Sequence, residues 1–137
     1  YKVDESEDCL AFLDINPNSY GHTLCILKKE IDYIFDLSDE EYLSLMKFSK
    51  RVALAIKKSV NCKRVAMSVV GLEVPHVHVH LNPINELIDA YFSELIDFAK
   101  SDFSVSAKLI SDSFHLNPGT KPPATSTTMR SSAGSKC

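Results

Sequence analysis

His76-Val77-His78-Val79-His80-Leu81-Asn82 alternates imidazoles with aliphatic side chains. In an extended strand successive side chains point to opposite faces. The three histidines therefore share one face, and Val77, Val79 and Leu81 share the other. One face is suited to chemistry and the other to a core. A single histidine in such a strand is ordinarily a satisfied structural residue. Three of the chain's five histidines at period two are another matter, because stacking imidazoles costs desolvation and charge repulsion unless something uses them.

The flanking sequence supplies the framework. Residues 8–15 form a mostly apolar segment, read as a strand and closed by the turn residues Asn16-Pro17-Asn18-Ser19. Asp14 stands near its end, where a turn-capping role and a ligand contact are equally open. Gly21-His22 opens a second strand over 23–27. Ser38-Asp39-Glu40-Glu41 is a Ser-x-x-Glu capping box. It predicts a helix over 39–59, whose apolar residues Tyr42, Leu45, Met46, Val52, Ala53 and Ile56 fall at steps of three and four, interrupted by Ser49. Lys47, Lys50, Lys57 and Lys58 form its solvated side.

Residues 64–70 read as the next strand and Gly71 as its break. Val74-Pro75 leads into the histidine strand, expected to run from His76 to about Leu81 and to pair antiparallel with its predecessor. From Leu87 to Ala99 the apolar spacing is helical, and 104–115 is a segment of undecided type. Residues 117–137, rich in Pro, Ser, Thr, Gly and Ala, are expected to be a disordered tail behind one domain over 1–116.

Composition narrows the function classes. A net charge of −3 provides no basic stripe for nucleic acid. No apolar run reaches bilayer length, and Tyr1-Lys2-Val3-Asp4-Glu5 lacks the apolar core of a signal peptide, so no membrane partner and a cytoplasmic location are expected. Cys9, Cys25, Cys62 and Cys137 contain no Cys-x-x-Cys pair. Reduced, mostly buried thiols are the expectation.

His76-Val77-His78-Val79-His80-Leu81-Asn82 resembles the signature of the histidine triad (HIT) superfamily, His-φ-His-φ-His-φ-φ with φ hydrophobic. Phe12-Leu13-Asp14-Ile15-Asn16-Pro17, Gly21-His22-Thr23 and Lys28-Lys29 look like its other recurring block. The similarity spans roughly residues 1–85. It implies an α+β fold, an antiparallel sheet with one long packed helix and a C-terminal helical segment, commonly paired as a homodimer.

The resemblance also implies metal-free, cofactor-free nucleotidyl transfer to water on a purine nucleotide substrate. The favoured substrate is a purine nucleoside phosphoramidate or related adenylate, and a dinucleoside polyphosphate is the nearest rival. His78 would be the nucleophile on the α-phosphorus, since a neutral imidazole offers a lone pair near pH 7 and a covalent intermediate splits one hard displacement into two. His80 and His22 would orient it or hold the phosphate, and His76 would contact phosphate or hold its strand neighbours in place. Asp14 would accept from ribose hydroxyls, and Phe12 and Ile15 would flank the base.

Some positions depart from the pattern. Asn82 replaces the final hydrophobic residue, and Leu72-Glu73 stand where many members carry Gln-Ser or Gln-Thr. The chain begins after an N-terminal segment that members usually carry, and Glu30 stands where some complete a zinc set, so no structural zinc is expected. Two other classes remain open: a metal-binding module built on the alternating histidines, and a nucleotide-binding or interaction protein without turnover.

Overall fold

The computed structural model of the chain describes residues 1–90 and 100–115. Five strands form one antiparallel sheet: β1 (Lys2–Glu5), β2 (Cys9–Leu13), β3 (Thr23–Leu27), β4 (Arg64–Ser68) and β5 (His78–Ile84), in the order β1-β2-β3-β5-β4. The β2–β3 register pairs Phe12 with Leu24, and β3–β5 pairs Leu24 with His80 and Ile26 with His78. β4 sits at the edge, with Ser68 opposite His80 and Ala66 opposite Asn82.

Strand parity then sorts the sheet into two faces. Cys9, Ala11, Leu13, Cys25, Leu27, Val79 and Leu81 line the buried face. Fully burying a valine or leucine side chain contributes about 1.5–3 kcal/mol. Leu10, Phe12, Leu24, Ile26 and His78 lie on the other face and are half-buried.

Helix α1 (Asp39–Ser59) covers the buried face with Leu45, Phe48, Ser49, Val52, Ala55 and Ile56. Its start is fixed by the capping box: Ser38 Oγ accepts from the Glu41 N–H at 3.1 Å, and Glu41 Oε1 accepts from the Ser38 N–H at 2.9 Å. Both donors would otherwise be orphaned at a helix start. The serine that interrupts the apolar stripe belongs to the core, where Ser49 is fully buried beneath the sheet. Burial pushes the Cys25 thiol up to about 12, so it is inert. Cys9, Cys25 and Cys62 are all buried, and no disulfide joins them.

Helix α2 (Lys100–Phe114) packs against α1, β1 and β2. Phe103 stacks on Tyr1 at 5.4 Å, Arg51 lies over the Phe114 ring at 4.4 Å, and His115 Nε2 meets buried Asp4 at 2.9 Å.

Several expectations shift. β1 is a strand that its charged sequence hides; an irregular register between Lys2 and Asp4 buries both Val3 and Asp4. The histidine strand begins at His78 and runs through Pro83 to Ile84. Pro83 pairs with Val65 beyond the last β3 pair, Thr23 with Leu81, where one flank of β5 has already lost its ladder partner. The undecided 104–115 segment belongs to α2. Of the expected 87–99 helix, Leu87–Ala90 is a 3-10 turn and 91–99 lies outside the described residues, as does the 117–137 tail. Among the described residues no helix is long and apolar enough to cross a membrane.

Candidate active site

The open face of the sheet gathers Asp14, His22, His78 and His80 because these four occupy positions of one parity. His78 and His80 alternate on β5. His22 precedes Leu24 on β3, and Asp14 follows Phe12 on β2. The Asp14 N–H donates to the His22 carbonyl at 3.0 Å, extending the β2–β3 ladder past its last strand pair. Gly21 allows the tight entry into His22: its φ is +87°, and an added Cβ would stand 3.0 Å from Val60 Cγ2.

The ring partners assign the tautomers. His78 Nδ1 lies 2.8 Å from the His76 carbonyl oxygen, which can only accept. Nδ1 therefore carries a proton, and in the neutral ring Nε2 keeps its lone pair. The Asn18 N–H donates to His22 Nδ1 at 3.1 Å, so the His22 proton is on Nε2. That proton is donated to His80 Nδ1 at 3.0 Å, which places the His80 proton on Nε2. The His78 and His80 rings have centroids 4.8 Å apart. One thus presents a lone pair while its neighbour presents an N–H. Histidine at neutral pH can do both in one site, according to which nitrogen its surroundings engage.

Burial favours the uncharged form of His22 and His80. It pushes His80 down to about 4, with the neighbouring His22 and His78 rings adding to the depression. His22, 1% exposed, is lowered by burial against the opposing pull of Asp14. A protonated His80 would have no lone pair to accept from His22, so the neutral state and the relay require each other.

The other candidates separate. His76 lies before the strand, not within it, and its Nε2 donates to the Leu27 carbonyl at 2.7 Å. It ties the entry of β5 to the end of β3 and supplies the carbonyl that sets His78. Asp14 caps the turn, its Oδ1 accepting from the Asn16 N–H at 2.9 Å, while Oδ2 lies 3.7 Å from His22 Nε2. Phe12 lines the open face beside Leu24. Ile15 is 71% exposed in the turn beyond β2. Glu73 is exposed in the 69–77 connector.

Ser68 escaped the sequence reading, yet it faces the site opposite His80. Its parity on β4 was legible, but its register with β5 was not.

Asp14, His22 and His80 place potential metal-ligating atoms within 4.8 Å of one another. The donor chemistry does not suit an ion. A metal on His22 Nε2 would require moving that ring's proton to Nδ1, where it would confront the Asn18 N–H. His22 and His80 fit a hydrogen-bond relay instead, with Asp14 3.7 Å from it.

The family model for the HIT domain matches residues 1–87. The chain belongs to the HIT family. An uncharacterized HIT-like protein of Methanocaldococcus jannaschii is 39% identical over 85 residues, covering 59% of this chain and 66% of that protein. The adenosine 5'-monophosphoramidase HNT1 of Saccharomyces cerevisiae is 34% identical over 105 residues, covering 73% and 66%. The chain thus spans just under two thirds of the length of these relatives. A crystal structure titled as a hypothetical histidine triad nucleotide-binding protein of Sulfolobus tokodaii strain7 superposes with a TM-score of 0.71 at 30% identity, covering 83% of each chain. The HIT match ends at residue 87, before α2 begins.

Proposed function

We propose that this HIT protein hydrolyses nucleoside 5'-phosphate derivatives through a covalent nucleotidyl-His78 intermediate, with a purine nucleoside phosphoramidate or related adenylate as substrate. The observation that carries the reading is the pairing of tautomers: a lone pair on His78 Nε2 beside an N–H on His80 Nε2. In the first step His78 Nε2 bonds to the α-phosphorus as the bond to the leaving group breaks. Water then attacks phosphorus, releases the nucleotide and returns the lone pair to His78. One water is consumed, its elements divided between phosphate and leaving group. The His80 N–H is suited to a phosphoryl oxygen, where charge must be stabilised.

Asp14 would accept from the ribose, and Phe12 with Leu24 would line the base side. The phosphoramidase activity named for the yeast relative supports this substrate class. Among the described residues β4 has a strand on one side only, and Met67 on it is 47% exposed. An edge of this kind is suited to a homodimer, and a monomer mass by light scattering would count against that assignment.

Brief mixing with adenosine phosphoramidate followed by mass spectrometry tests the mechanism. An adenylyl adduct on His78 is expected, absent in His78→Ala. An adduct on another residue overturns it. Faster turnover of a dinucleoside polyphosphate than of the phosphoramidate would move the substrate to that class, and nucleotide binding without turnover would leave a binding protein.

A further inference from the structure

Asn82 departs from the hydrophobic pattern of its strand position, and it is 4% exposed inside β5 rather than at its end. Its side chain joins two segments that the sequence separates widely. Ser19 Oγ–H donates to Asn82 Oδ1 at 2.9 Å, and Asn82 Nδ2–H donates to the Asp89 carbonyl at 2.9 Å. The carbonyl can only accept, so the amide orientation is set. On the Asp89 side, that residue's carboxylate accepts from the Asn85 and Glu86 N–H groups at 2.9 and 3.0 Å, closing a compact turn. On the Ser19 side, the Ser19 carbonyl accepts from the His22 N–H at 3.1 Å, and the adjoining Asn18 N–H is the donor that sets the His22 tautomer.

We propose that Asn82 is a positioning residue for the His22–His80 relay: by clamping the 18–19 turn to the 85–89 turn, it holds the N–H that dictates which nitrogen of each ring carries the proton. Its part in catalysis rests on the hydrolase reading above. The residue type follows from the task, because the site needs one acceptor and one donor on a single short planar group. Leucine would leave Ser19 Oγ and the Asp89 carbonyl without this partner in a partly buried place. Aspartate would set a carboxylate oxygen against that carbonyl.

Releasing the 18–19 turn loosens the Asn18 N–H from His22 Nδ1. His22 can then protonate at Nδ1 and accept through Nε2. His80 must answer by protonating Nδ1, which turns a lone pair instead of an N–H toward the phosphoryl group.

Nitrogen-15 NMR of the histidine rings reads those tautomers directly, without substrate. The wild type is expected to show Nε2–H at both His22 and His80. Asn82→Leu and Ser19→Ala are each expected to show mixed tautomers at His22 and His80. In phosphoramidate hydrolysis the same variants should lose on the order of 10- to 100-fold in kcat, as for a displaced catalytic group, with KM little changed. Ser19→Thr, which keeps the hydroxyl, should retain both the tautomers and the rate. Ser19→Ala guards against a folding failure of Asn82→Leu, since Ser19 is only half-buried. Wild-type tautomers in folded Ser19→Ala would overturn the proposal. If the wild type hydrolyses no nucleotide, the hydrolase reading falls separately, and the ring spectra still decide whether the clamp exists.

Discussion

Acidification from pH 7 to about pH 4.5 is expected to destabilise the fold through His80. Burial holds its folded-state value at about 4, whereas an exposed histidine titrates near 6.5. Between those values the unfolded chain binds a proton that the folded chain refuses, so stability rises with pH. The contribution is fully present above the unfolded value and is lost as pH falls through the folded one. Integrated from pH 7 to 4.5, the difference is about 2.4 kcal/mol, reduced to about 1–2 kcal/mol by solvent reaching the ring edge. His22, also lowered by burial, adds in the same direction. Urea unfolding followed by far-UV circular dichroism measures the loss, and a His80→Gln variant isolates it from carboxylate titration common to both proteins. The variant should lose about 1–2 kcal/mol less stability over the same interval, or roughly 1 M less in its midpoint shift. Equal losses in the two proteins would refute a buried, neutral His80.

Two further outcomes follow from the geometry. Asp14→Asn is expected to raise KM for a ribonucleoside phosphoramidate by roughly 10-fold, the scale of one hydrogen bond to a charged group, and to leave the KM of the 2'-,3'-dideoxy analogue nearly unchanged; equal effects on both would remove Asp14 from the ribose. Leu81→Ala empties a fully buried place beneath the site. It should cost about 2–5 kcal/mol in urea unfolding, and a smaller loss would mean that the core relaxes around the gap.

Much of this architecture was legible from local rules. The capping box at Ser38 and Glu41 located the start of α1, and Thr23–Leu27 announced β3 by its apolar run. β1 was hidden because its identity comes from pairing with β2: Lys2, Asp4 and Glu5 have no strand pattern of their own. Proline misplaced both ends of the histidine strand, since its effect on a ladder depends on which neighbour remains.

Within the site, the alternation of His78 and His80 and the presence of His22 and Asp14 could be read residue by residue. Their mutual approach could not, because it depends on the registers that pair Leu24 with Phe12 and with His80. The Asn18 N–H was invisible for a deeper reason. Every non-proline residue owns such a donor, and only folded geometry shows which one matters.

The division of the sheet into a chemical and a structural face also constrains how such a protein can diverge. Point substitutions at Phe12, Leu24, Ile26 or Ser68 change the open face while leaving Ala11, Cys25, Val79 and Leu81 packed beneath α1. A one-residue insertion inside β5 would instead exchange imidazoles for aliphatic side chains along the rest of the strand, ruining solubility and chemistry together. Lineages can therefore vary the open face by replacement within strands, and must confine changes of length to connectors such as 69–77.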